Sequence, residues 1–451
     1  MILDPRGGEA GLLAQIAAPA APAGDGPEPS AASLKAAAAA IQQARTDWSR
    51  SARAIGRIAR DRSLGSRHRR AAVDLAWHVV RGRRLLDVLV GAPDGDAPAR
   101  RLAEAAAVLF AGAPGETIRD SGARDGVLDP RHALLGHVLA TGIAPETALG
   151  VAASLPDWFA AELLRDREPA DAASLARALL ERAPLTLRIL RHRTDREAVI
   201  AALAADRVEA APSPLAPDAL VLAAHANVQS LQAHKDGLIA VQDAGSQVLA
   251  GLAVGPKILD ACAGAGGKAL AIASTGDVRV LACDVRRDAL QEAGKRARFE
   301  GVERRVRTQV LPKDGLPASI RAFGPVDTVL IDAPCTGSGS LRREPAMRWA
   351  RSPLEVTRLP TLQGRLLDRF APLVAPGARL VYATCSLFGV ENDAVVRAFL
   401  DRSPGFDVVP VHDLLPASAQ EVVAPAPDGF LRLRPDRHGC DGFFAAVLLR
   451  R

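Results

Sequence analysis

The sequence predicts an α/β protein whose second half forms a Rossmann-like, doubly wound parallel sheet, preceded by a small α+β module and an all-helical domain. From about Gly237 onward, short apolar runs alternate with helical segments, which is typical of βαβ units. Residues 31–165 instead carry apolar side chains at three- and four-residue steps, the spacing of amphipathic helices. The 451 residues are enough for two or three hydrophobic cores. We therefore expect a flexible arm (residues 1–30), a helical domain (31–165), the α+β module (184–236) and the α/β domain (237–451).

The helical domain is rich in arginine. Its predicted helices span residues 34–62, 70–89, 99–110, 132–139, 145–153 and 156–164. Four arginines of the first helix share one face, and more follow it: Arg50, Arg53, Arg57 and Arg60, then Arg67, Arg69, Arg70, Arg81, Arg83 and Arg84. Guanidinium groups stacked in this way suit phosphates. A solvated face of an arginine-rich protein would explain the pattern equally well.

The α+β module begins with an alternating strand, L-T-L-R-I-L, at Leu185. A capping box from Thr194 to Glu197 predicts a helix that runs through Asp206, and short strands are expected near Val208 and at residues 220–223. The module is basic because of four neighbouring side chains: Arg188, Arg191, His192 and Arg193. They form either a second nucleic-acid surface or the solvent-exposed face of a strand.

The α/β domain contains the candidate strands on which a ligand site can be placed. They are residues 257–262, 279–284, 305–311, 326–333, 378–385, 406–411 and 443–449. Ligands in such sheets bind at the carboxyl ends of the strands, so the chemistry is expected there.

A glycine-rich turn follows the first of these strands, in the stretch K-I-L-D-A-C-A-G-A-G-G-K from Lys257 to Lys268. Glycines allow the backbone to approach a nucleotide-like ligand closely. Asp284 ends the next apolar run about 20 residues later, the spacing at which a carboxylate meets ribose hydroxyls. The turn is not G-x-G-x-x-G, and S-adenosylmethionine, which has no pyrophosphate, fits it better than a dinucleotide does. A purely structural turn is the alternative.

Two cysteines lie at the ends of predicted strands: Cys335 shortly follows the strand 326–333, and Cys385 ends the strand 378–385. A thiolate at such a position can attack carbon 6 of a pyrimidine and make carbon 5 nucleophilic enough to take a methyl group. A nearby cation would favour the thiolate, and Lys268 is the candidate. A cysteine taken alone is more often a small buried hydrophobic residue.

Composition narrows the class of protein. The net charge of +6 and a pI near 9.4 favour a polyanionic partner, although many basic proteins only carry a solvated surface. No apolar run is long enough to span a bilayer, and the amino terminus does not read as a secretory signal, so we expect a cytoplasmic protein without membrane contact. The five cysteines are never spaced C-x-x-C, which argues against disulfides and against a metal site.

The chain resembles the RNA cytosine-5 methyltransferases of the Sun (RsmB/Nop) family from residue 184 to residue 451. The segments that carry the resemblance occur in family order: Val241–Gln247 (V-Q-D-A-G-S-Q), Asp260–Lys268, Asp332–Gly337 (D-A-P-C-T-G), Arg343–Trp349, Ala383–Ser386 (A-T-C-S) with Glu391-Asn392, and Asp441–Phe444 (D-G-F-F). Residues 31–165 resemble more loosely the NusB-like helical domain of bacterial members. The resemblance implies a class I S-adenosylmethionine-dependent methyltransferase fold.

The resemblance also implies roles for individual residues. Cys385 would be the nucleophile on carbon 6, and Cys335 would assist loss of the carbon 5 proton and release of the enzyme. Asp332 would hydrogen-bond the cytosine edge, and Lys268 would support the site. The implied cofactor-binding set is Ala261, Cys262, Ala263, Gly264, Ala265, Gly266, Gly267 and Lys268 around the methionine moiety, Asp284 on the ribose, and Arg287, Asp314 and Asp332. The family usually has Ala-Pro at Gly264-Ala265, and Asp314 is the best candidate for the acid near the adenine.

The favoured substrate is small-subunit ribosomal RNA, with transfer RNA left open, and a monomer is expected. Three other classes of protein are weaker candidates. A DNA cytosine-5 methyltransferase would use the Pro-Cys thiol itself and would not need Cys385. An RNA-binding scaffold with a catalytically inactive methyltransferase fold would not need Cys335, Asp332 and Lys268 in addition to Cys385. A small-molecule methyltransferase would need neither the basic modules nor a nucleophilic cysteine.

Overall fold

The computed structural model describes residues 29–45, 47–92, 95–111 and 144–451. The predicted arm lies almost wholly outside the described residues, as does the predicted helix 132–139. The chain forms two compact units. The first unit contains the described residues up to Arg182 together with Ser340–Pro353, and the second contains Ala183–Gly339 and Leu354–Arg451.

The first unit is helical where it is described, as the sequence predicts. Its helices are α1 (Ala31–Ala44), α2 (Ser51–Arg60), α3 (Ser66–Leu89), α4 (Ala99–Ala111), α5 (Pro145–Ala152), α6 (Asp157–Arg165) and α7 (Pro169–Ala178), and a later short helix is α14 (Met347–Ala350). The prediction of one long first helix is wrong. It breaks at a 3-10 turn, Trp48–Arg50, in which the Ser51 hydroxyl donates to the Trp48 carbonyl at 2.6 Å.

The break in the first helix changes the predicted arginine face. Arg50 precedes α2 and pairs with Asp47 at 2.9 Å, so only Arg53, Arg57 and Arg60 share the exposed face of α2. The arginines in the middle of α3 have partners inside the unit. Arg84 binds Asp157 at 2.6 Å, and Arg83 lies between the rings of Trp48 and Trp349. Burial lowers the pKa of Arg81 to about 10. Arg81, Arg83 and Arg84 therefore do not extend the predicted phosphate-binding face.

The segment Ser340–Pro353 packs in the helical unit although both of its ends continue into the second unit. Arg348 is fully buried there, and its guanidinium donates to main-chain carbonyl oxygens of Pro345, Arg81, Ala153, Ser154 and Leu179 over 2.7–3.4 Å. The indole N–H of Trp349 donates to the Val80 carbonyl at 2.9 Å. Two side chains from a later part of the sequence thus complete this helical core.

The second unit contains a four-stranded antiparallel sheet in its first part. The strands are β1 (Thr186–Ile189), β2 (Ala210–Pro212), β3 (Ala219–Leu222) and β4 (Ile239–Val241), in the order β2-β3-β1-β4, with helices α8 (Arg196–Ala205) and α9 (Gln232–Lys235). The predicted capping box is one residue off. Asp195, not Thr194, caps α8, because its carboxylate accepts from the Ala198 N–H at 2.8 Å.

The basic side chains of this module are not all surface groups. Arg188 is buried and donates to Gln242 at 2.6 Å, to Ser274 at 2.7 Å and to Glu300 at 2.5 Å. The ring of His192 contacts the Glu300 carbonyl at 2.8 Å. Arg188 is therefore unavailable to a nucleic acid, and the predicted basic surface is reduced to fewer side chains.

The larger sheet of the second unit is mixed. Its strands are β5 (Lys257–Asp260), β6 (Arg279–Asp284), β7 (Val306–Val310), β8 (Val326–Asp332), β9 (Val374–Thr384), β10 (Phe406–Val409), β11 (Leu431–Leu433) and β12 (Phe443–Arg450). Their order is β10-β12-β9-β8-β5-β6-β7, with β11 paired to β12. The five strands from β9 to β7 along this order are parallel, as predicted, whereas β10, β11 and β12 pair antiparallel. The sequence analysis predicted the parallel sheet but not the antiparallel direction of the strands at that edge.

Helices flank the sheet and connect its parallel strands. They are α10 (Ala244–Gly251), α11 (Gly267–Ala273), α12 (Arg287–Glu300), α13 (Ala318–Phe323), α15 (Leu354–Phe370), α16 (Asp393–Arg402), α17 (Ala417–Gln420) and α18 (Pro435–His438). The central strands read as nearly continuous apolar runs because both of their faces are covered. Alternate residues of β5, for example, belong to different cores, Ile258 on one face and Leu259 on the other.

Candidate active site

The turn between β5 and α11 depends on two glycines in the left-handed region. Gly264 has φ 54° and Gly266 has φ 84°. A Cβ atom on Gly266 would lie 2.9 Å from the Cβ of Ala293, so a larger residue would force the turn away from α12. The Gly264 N–H donates to Asp284 Oδ2 at 2.8 Å. The carboxyl ends of β5 and β6 are therefore joined through this turn, as the sequence predicts for a ligand-binding loop.

Asp284 is buried and supports the loop that follows it as well. Its Oδ1 accepts from the Arg286 backbone N–H at 2.8 Å and from Arg286 Nε at 3.3 Å. Oδ2, which accepts only from the Gly264 N–H among the described residues, retains acceptor capacity for a ligand hydroxyl. The other two predicted cofactor residues of this region are exposed, Arg287 at the start of α12 and Asp314 in the loop after β7. Neither makes a hydrogen bond or ion pair with the site residues in the part of the chain that the structure describes.

Asp260, at the end of β5, is a site residue to which the sequence analysis gave no role. It is 1% exposed, and its Oδ1 accepts from the Cys262 N–H at 3.3 Å. Its Oδ2 is buried and has no hydrogen-bond partner among the described residues. Burial, and then the charge of Asp332, raise the pKa of Asp260 to about 7. A buried carboxylate oxygen without a hydrogen-bond donor fits a ligand ammonium group.

Lys268 and Asp332 form an ion pair across this edge of the sheet. Lys268 Nζ lies 2.5 Å from Asp332 Oδ2, and the two side chains are 9% and 29% exposed. Burial opposes the charged form of Lys268, but Asp332 outweighs it, and Cys385 and Asp260 add to the effect, so the pKa of the ammonium is raised. Lys268 is therefore a buried cation, fixed by Asp332, whose charge also interacts with Cys385.

The two predicted catalytic thiols lie together. Cys335 and Cys385 follow neighbouring parallel strands whose last paired residues are Asp332 and Ala383, and their Sγ atoms are 3.3 Å apart. The hydrogen bond to Cys385, and then burial, raise the pKa of Cys335 well above its ordinary value. The sulfur of Cys335 is thus held in direct contact with that of Cys385, in surroundings that favour its protonated form.

A buried polar network lies around the two thiol loops, with Glu391 at its centre. Glu391 is fully buried and accepts hydrogen bonds from Thr336, Ser386 and Gln363. Asn392 joins the same network by donating to the Ser386 carbonyl at 2.9 Å. The sequence analysis included Glu391-Asn392 in a family segment but assigned neither residue a role. Their function depends on contacts that no local pattern reveals.

The remaining cysteines do not form a second site. Burial raises the pKa of Cys283 to about 12 and that of Cys262 well above its ordinary value. All five cysteines are free thiols. In the described ranges, no group of three or more His, Cys, Asp or Glu side chains is arranged to hold a metal ion. No helix within the same ranges is both long and apolar enough to cross a membrane.

Comparisons with known proteins agree with the fold. A sequence model described as 16S rRNA methyltransferase RsmB/F matches residues 249–449, and one described as the RsmF/B-like ferredoxin-like domain matches residues 155–229. The chain is 33% identical over 301 residues to ribosomal RNA small subunit methyltransferase B of Salmonella arizonae. That match covers 66% of each chain, slightly less than two thirds of the relative's length.

Two further relatives extend the comparison. Over 317 residues the chain is 31% identical to the probable ribosomal RNA small subunit methyltransferase B of Bacillus subtilis, covering 68% of this chain and 69% of that one. The crystal structure of PH0851 has a similar fold, with a TM-score of 0.71 and 24% identity over 93% of this chain and 98% of that chain. The fold is that of a Rossmann-like methyltransferase. The chain belongs to the RsmB/F family of 16S rRNA methyltransferases.

The predicted family and fold class are thereby confirmed. The NusB-like character of the helical domain and the four-part division of the chain stay predictions. The ferredoxin-like match begins within the helical unit, at residue 155, and so includes α6 and α7 as well as strands β1, β2 and β3 of the small antiparallel sheet, but not β4.

Proposed function

We propose that this protein transfers a methyl group from S-adenosylmethionine to carbon 5 of a cytosine in small-subunit ribosomal RNA. The observation that carries the proposal is the pair of thiols, with Sγ atoms 3.3 Å apart, beside the Lys268–Asp332 ion pair. Methylation of carbon 5 through a covalent adduct needs one thiol nucleophile, and a second thiol beside it can assist the later release of the enzyme. Membership of the RsmB/F family supports ribosomal RNA as the substrate.

The residues at the glycine turn fit the cofactor. The Ala261–Lys268 loop would surround the methionine moiety, with its ammonium on the unpartnered Oδ2 of Asp260. Asp284 would hold the ribose hydroxyls. S-adenosylmethionine supplies the electrophilic methyl group when bound. Arg287 and Asp314 remain proposed cofactor residues without a supporting contact.

The reaction on cytosine is assigned to four side chains. Cys385, as a thiolate, forms a bond to carbon 6, and the electron pair of the carbon 5–carbon 6 double bond becomes available for the methyl group. The proton on carbon 5 then leaves, the double bond re-forms and the bond from sulfur to carbon 6 breaks. Cys335 assists these last steps: its proton passes to the departing Cys385 sulfur, and its own sulfur, a strong base because its pKa is raised, takes the proton from carbon 5. Asp332, with Lys268 on one oxygen, presents the other oxygen to the cytosine edge.

The test is a denaturing gel of Cys335→Ala and Cys385→Ala proteins incubated with S-adenosylmethionine and labelled RNA, either 16S ribosomal RNA or bulk transfer RNA. We expect Cys335→Ala to hold RNA covalently, because release is impaired, and Cys385→Ala to form no adduct. Cys283→Ala, a buried thiol in the core of the sheet, is the matched control and should behave like the parent protein.

The RNA that is trapped identifies the substrate class. Covalent capture of transfer RNA alone would move the substrate to transfer RNA. If the parent protein neither transfers methyl nor yields an adduct with either RNA in the variants, the proposal is wrong and a scaffold function takes its place.

A further inference from the structure

Glu391 is a buried acid that touches neither the cytosine-reactive sulfur nor the cofactor loop. It is 0% exposed and lies at the end of the 3-10 turn Gly389–Glu391, shortly after Cys385. In the part of the chain that the structure describes, it forms no ion pair with a cation. A buried carboxylate without a cation is costly unless hydrogen bonds replace its hydration, and an apolar residue would serve better if the position were only core.

Four hydrogen-bond donors replace the lost hydration of the Glu391 carboxylate. Glu391 Oε1 accepts from the Thr336 backbone N–H at 2.9 Å and from Gln363 Nε2 at 3.2 Å. Its Oε2 accepts from the hydroxyl groups of Thr336 and Ser386, each at 2.5 Å. The Tyr382 hydroxyl also donates to the main-chain carbonyl of Glu391 at 2.6 Å. Two of the side-chain partners are the residues directly after Cys335 and Cys385.

The same network reaches the other side of Cys335. Gln363 Nε2 donates to the Pro334 carbonyl at 3.0 Å while it contacts Glu391. Residues 334 and 336, on either side of one thiol, and residue 386, next to the other, are thus held by one carboxylate. The two loops are also linked by the Gly339 N–H, which donates to the Cys385 carbonyl at 2.9 Å, and by the Ser338 hydroxyl, which lies 3.2 Å from Ser386 Oγ.

We propose that Glu391 is a positioning residue that fixes the distance between the Cys335 and Cys385 sulfur atoms. One carboxylate bonds to the neighbours of both thiols, so its loss frees the two loops to separate. The consequence for methyl transfer rests on the proposed function, whereas the spacing of the thiols does not. A misplacement of about 1 Å in such a pair is enough to cost about 100-fold in rate.

The spacing is tested without RNA by phenylarsine oxide, which bridges two close thiols. Two As–S bonds form while the oxide oxygen and both thiol protons leave as water. We expect the parent protein to take up one equivalent at Cys335 and Cys385, and Glu391→Ala to bind it at least about tenfold more weakly. Cys385→Ala lacks one of the two thiols and therefore shows how much arsenical binds when it cannot bridge Cys335 and Cys385. Unchanged affinity in Glu391→Ala would overturn the proposal.

Two further variants keep the test decisive if Glu391→Ala does not fold. In Glu391→Gln the amide oxygen still accepts from the two N–H donors. Its NH₂ group donates to the hydroxyl groups of Thr336 and Ser386, which can also act as acceptors. This variant should therefore bind the arsenical like the parent protein. Gln363→Ala removes the link to Pro334 and should give a smaller loss than Glu391→Ala. Glu300→Gln alters an equally buried acid elsewhere in this unit and should leave arsenical binding unchanged even if stability falls.

Kinetics then separate positioning from general folding. Glu391→Ala should lower kcat about 100-fold, with KM for RNA and the affinity for S-adenosylmethionine within about twofold of the parent values. Glu391→Gln should restore most of the rate. Loss of cofactor affinity in step with kcat would show a structural role and overturn the proposal. If the parent protein transfers no methyl but the arsenical results hold, the proposed function fails and the positioning role stands.

Discussion

Lys268 donates to Asp332 over 2.5 Å and thereby joins the helix after the glycine turn to the strand that precedes Cys335. The pair connects the predicted cofactor loop with the predicted base-binding edge. Because Lys268 is only 9% exposed, its charge is weakly screened and acts on Cys385 and Asp260 as well.

Lys268→Met should lower kcat by about 100-fold or more, the usual effect of removing one preorganised charge from an active site. The substitution keeps the length of the side chain but leaves Asp332 beside Asp260 without a cation. Single-turnover methylation, with cofactor binding measured separately, is the check. Lys295→Met, at an exposed lysine of α12, is the matched control. A rate within about threefold of the parent would contradict the role given to Lys268.

Asp260 should make stability and cofactor binding depend on pH. Burial and then Asp332 raise its pKa from 3.8 to about 7, with Asp284 acting in the same direction and Lys268 and the Cys262 N–H in the opposite one. The folded protein therefore binds this proton more tightly than the unfolded chain does. Its stabilising effect is complete below about pH 4 and is lost as the pH rises through about 7, a change of up to about 4 kcal/mol.

Asp260→Asn should remove this dependence of stability on pH. The free energy of unfolding in urea should therefore differ less between pH 5 and pH 8 than it does in the parent protein. A ligand ammonium favours ionised Asp260, and S-adenosylmethionine should therefore bind about tenfold more tightly at pH 8 than at pH 6. Isothermal titration calorimetry measures this. Asp288→Asn, at an exposed acid of α12, should keep the pH dependence, and a flat affinity in the parent protein would refute the assignment.

The buried pair of Arg188 and Glu300, 2.5 Å apart and 3% and 2% exposed, should be important for stability. Arg188→Met leaves the Glu300 carboxylate without this partner and should destabilise the second unit by about 3–5 kcal/mol. The double variant Arg188→Met/Glu300→Leu should recover much of the loss, since no isolated charge remains. Urea unfolding gives both values. Equal stability of the parent protein and the single variant would show that the pair contributes nothing.

The fold was predictable wherever a local pattern reflects burial. The apolar run of β6 gave its bounds, Arg279–Asp284, because both faces of a central parallel strand are covered. The antiparallel direction of β12 was not predictable, since a buried strand has the same pattern whichever way it runs. The break before α2 was missed because the apolar spacing continues through Trp48, and the cap moved to Asp195 because both candidate residues are good caps.

The residues of the candidate site also fall into two groups, those that a local sequence pattern predicts and those that it does not. Cys335, Cys385, Lys268 and Asp284 were found because each follows a strand or a glycine turn that sequence patterns mark. Glu391 and the free oxygen of Asp260 depend on which buried donors face them, and Arg188 has the sequence context of a surface residue. These contacts are known only once the chain is folded and its side chains are packed.

The position of Arg348 and Trp349 has a consequence for synthesis of the chain. A ribosome makes a protein from its amino end, and the helical unit cannot complete its core until residues 340–353 have left the exit tunnel. By then strands β5 to β8, the glycine turn and Cys335 have already been made. The two units must therefore mature together during translation, and a nascent chain stalled near Arg182 would expose backbone carbonyls that Arg348 covers in the finished protein.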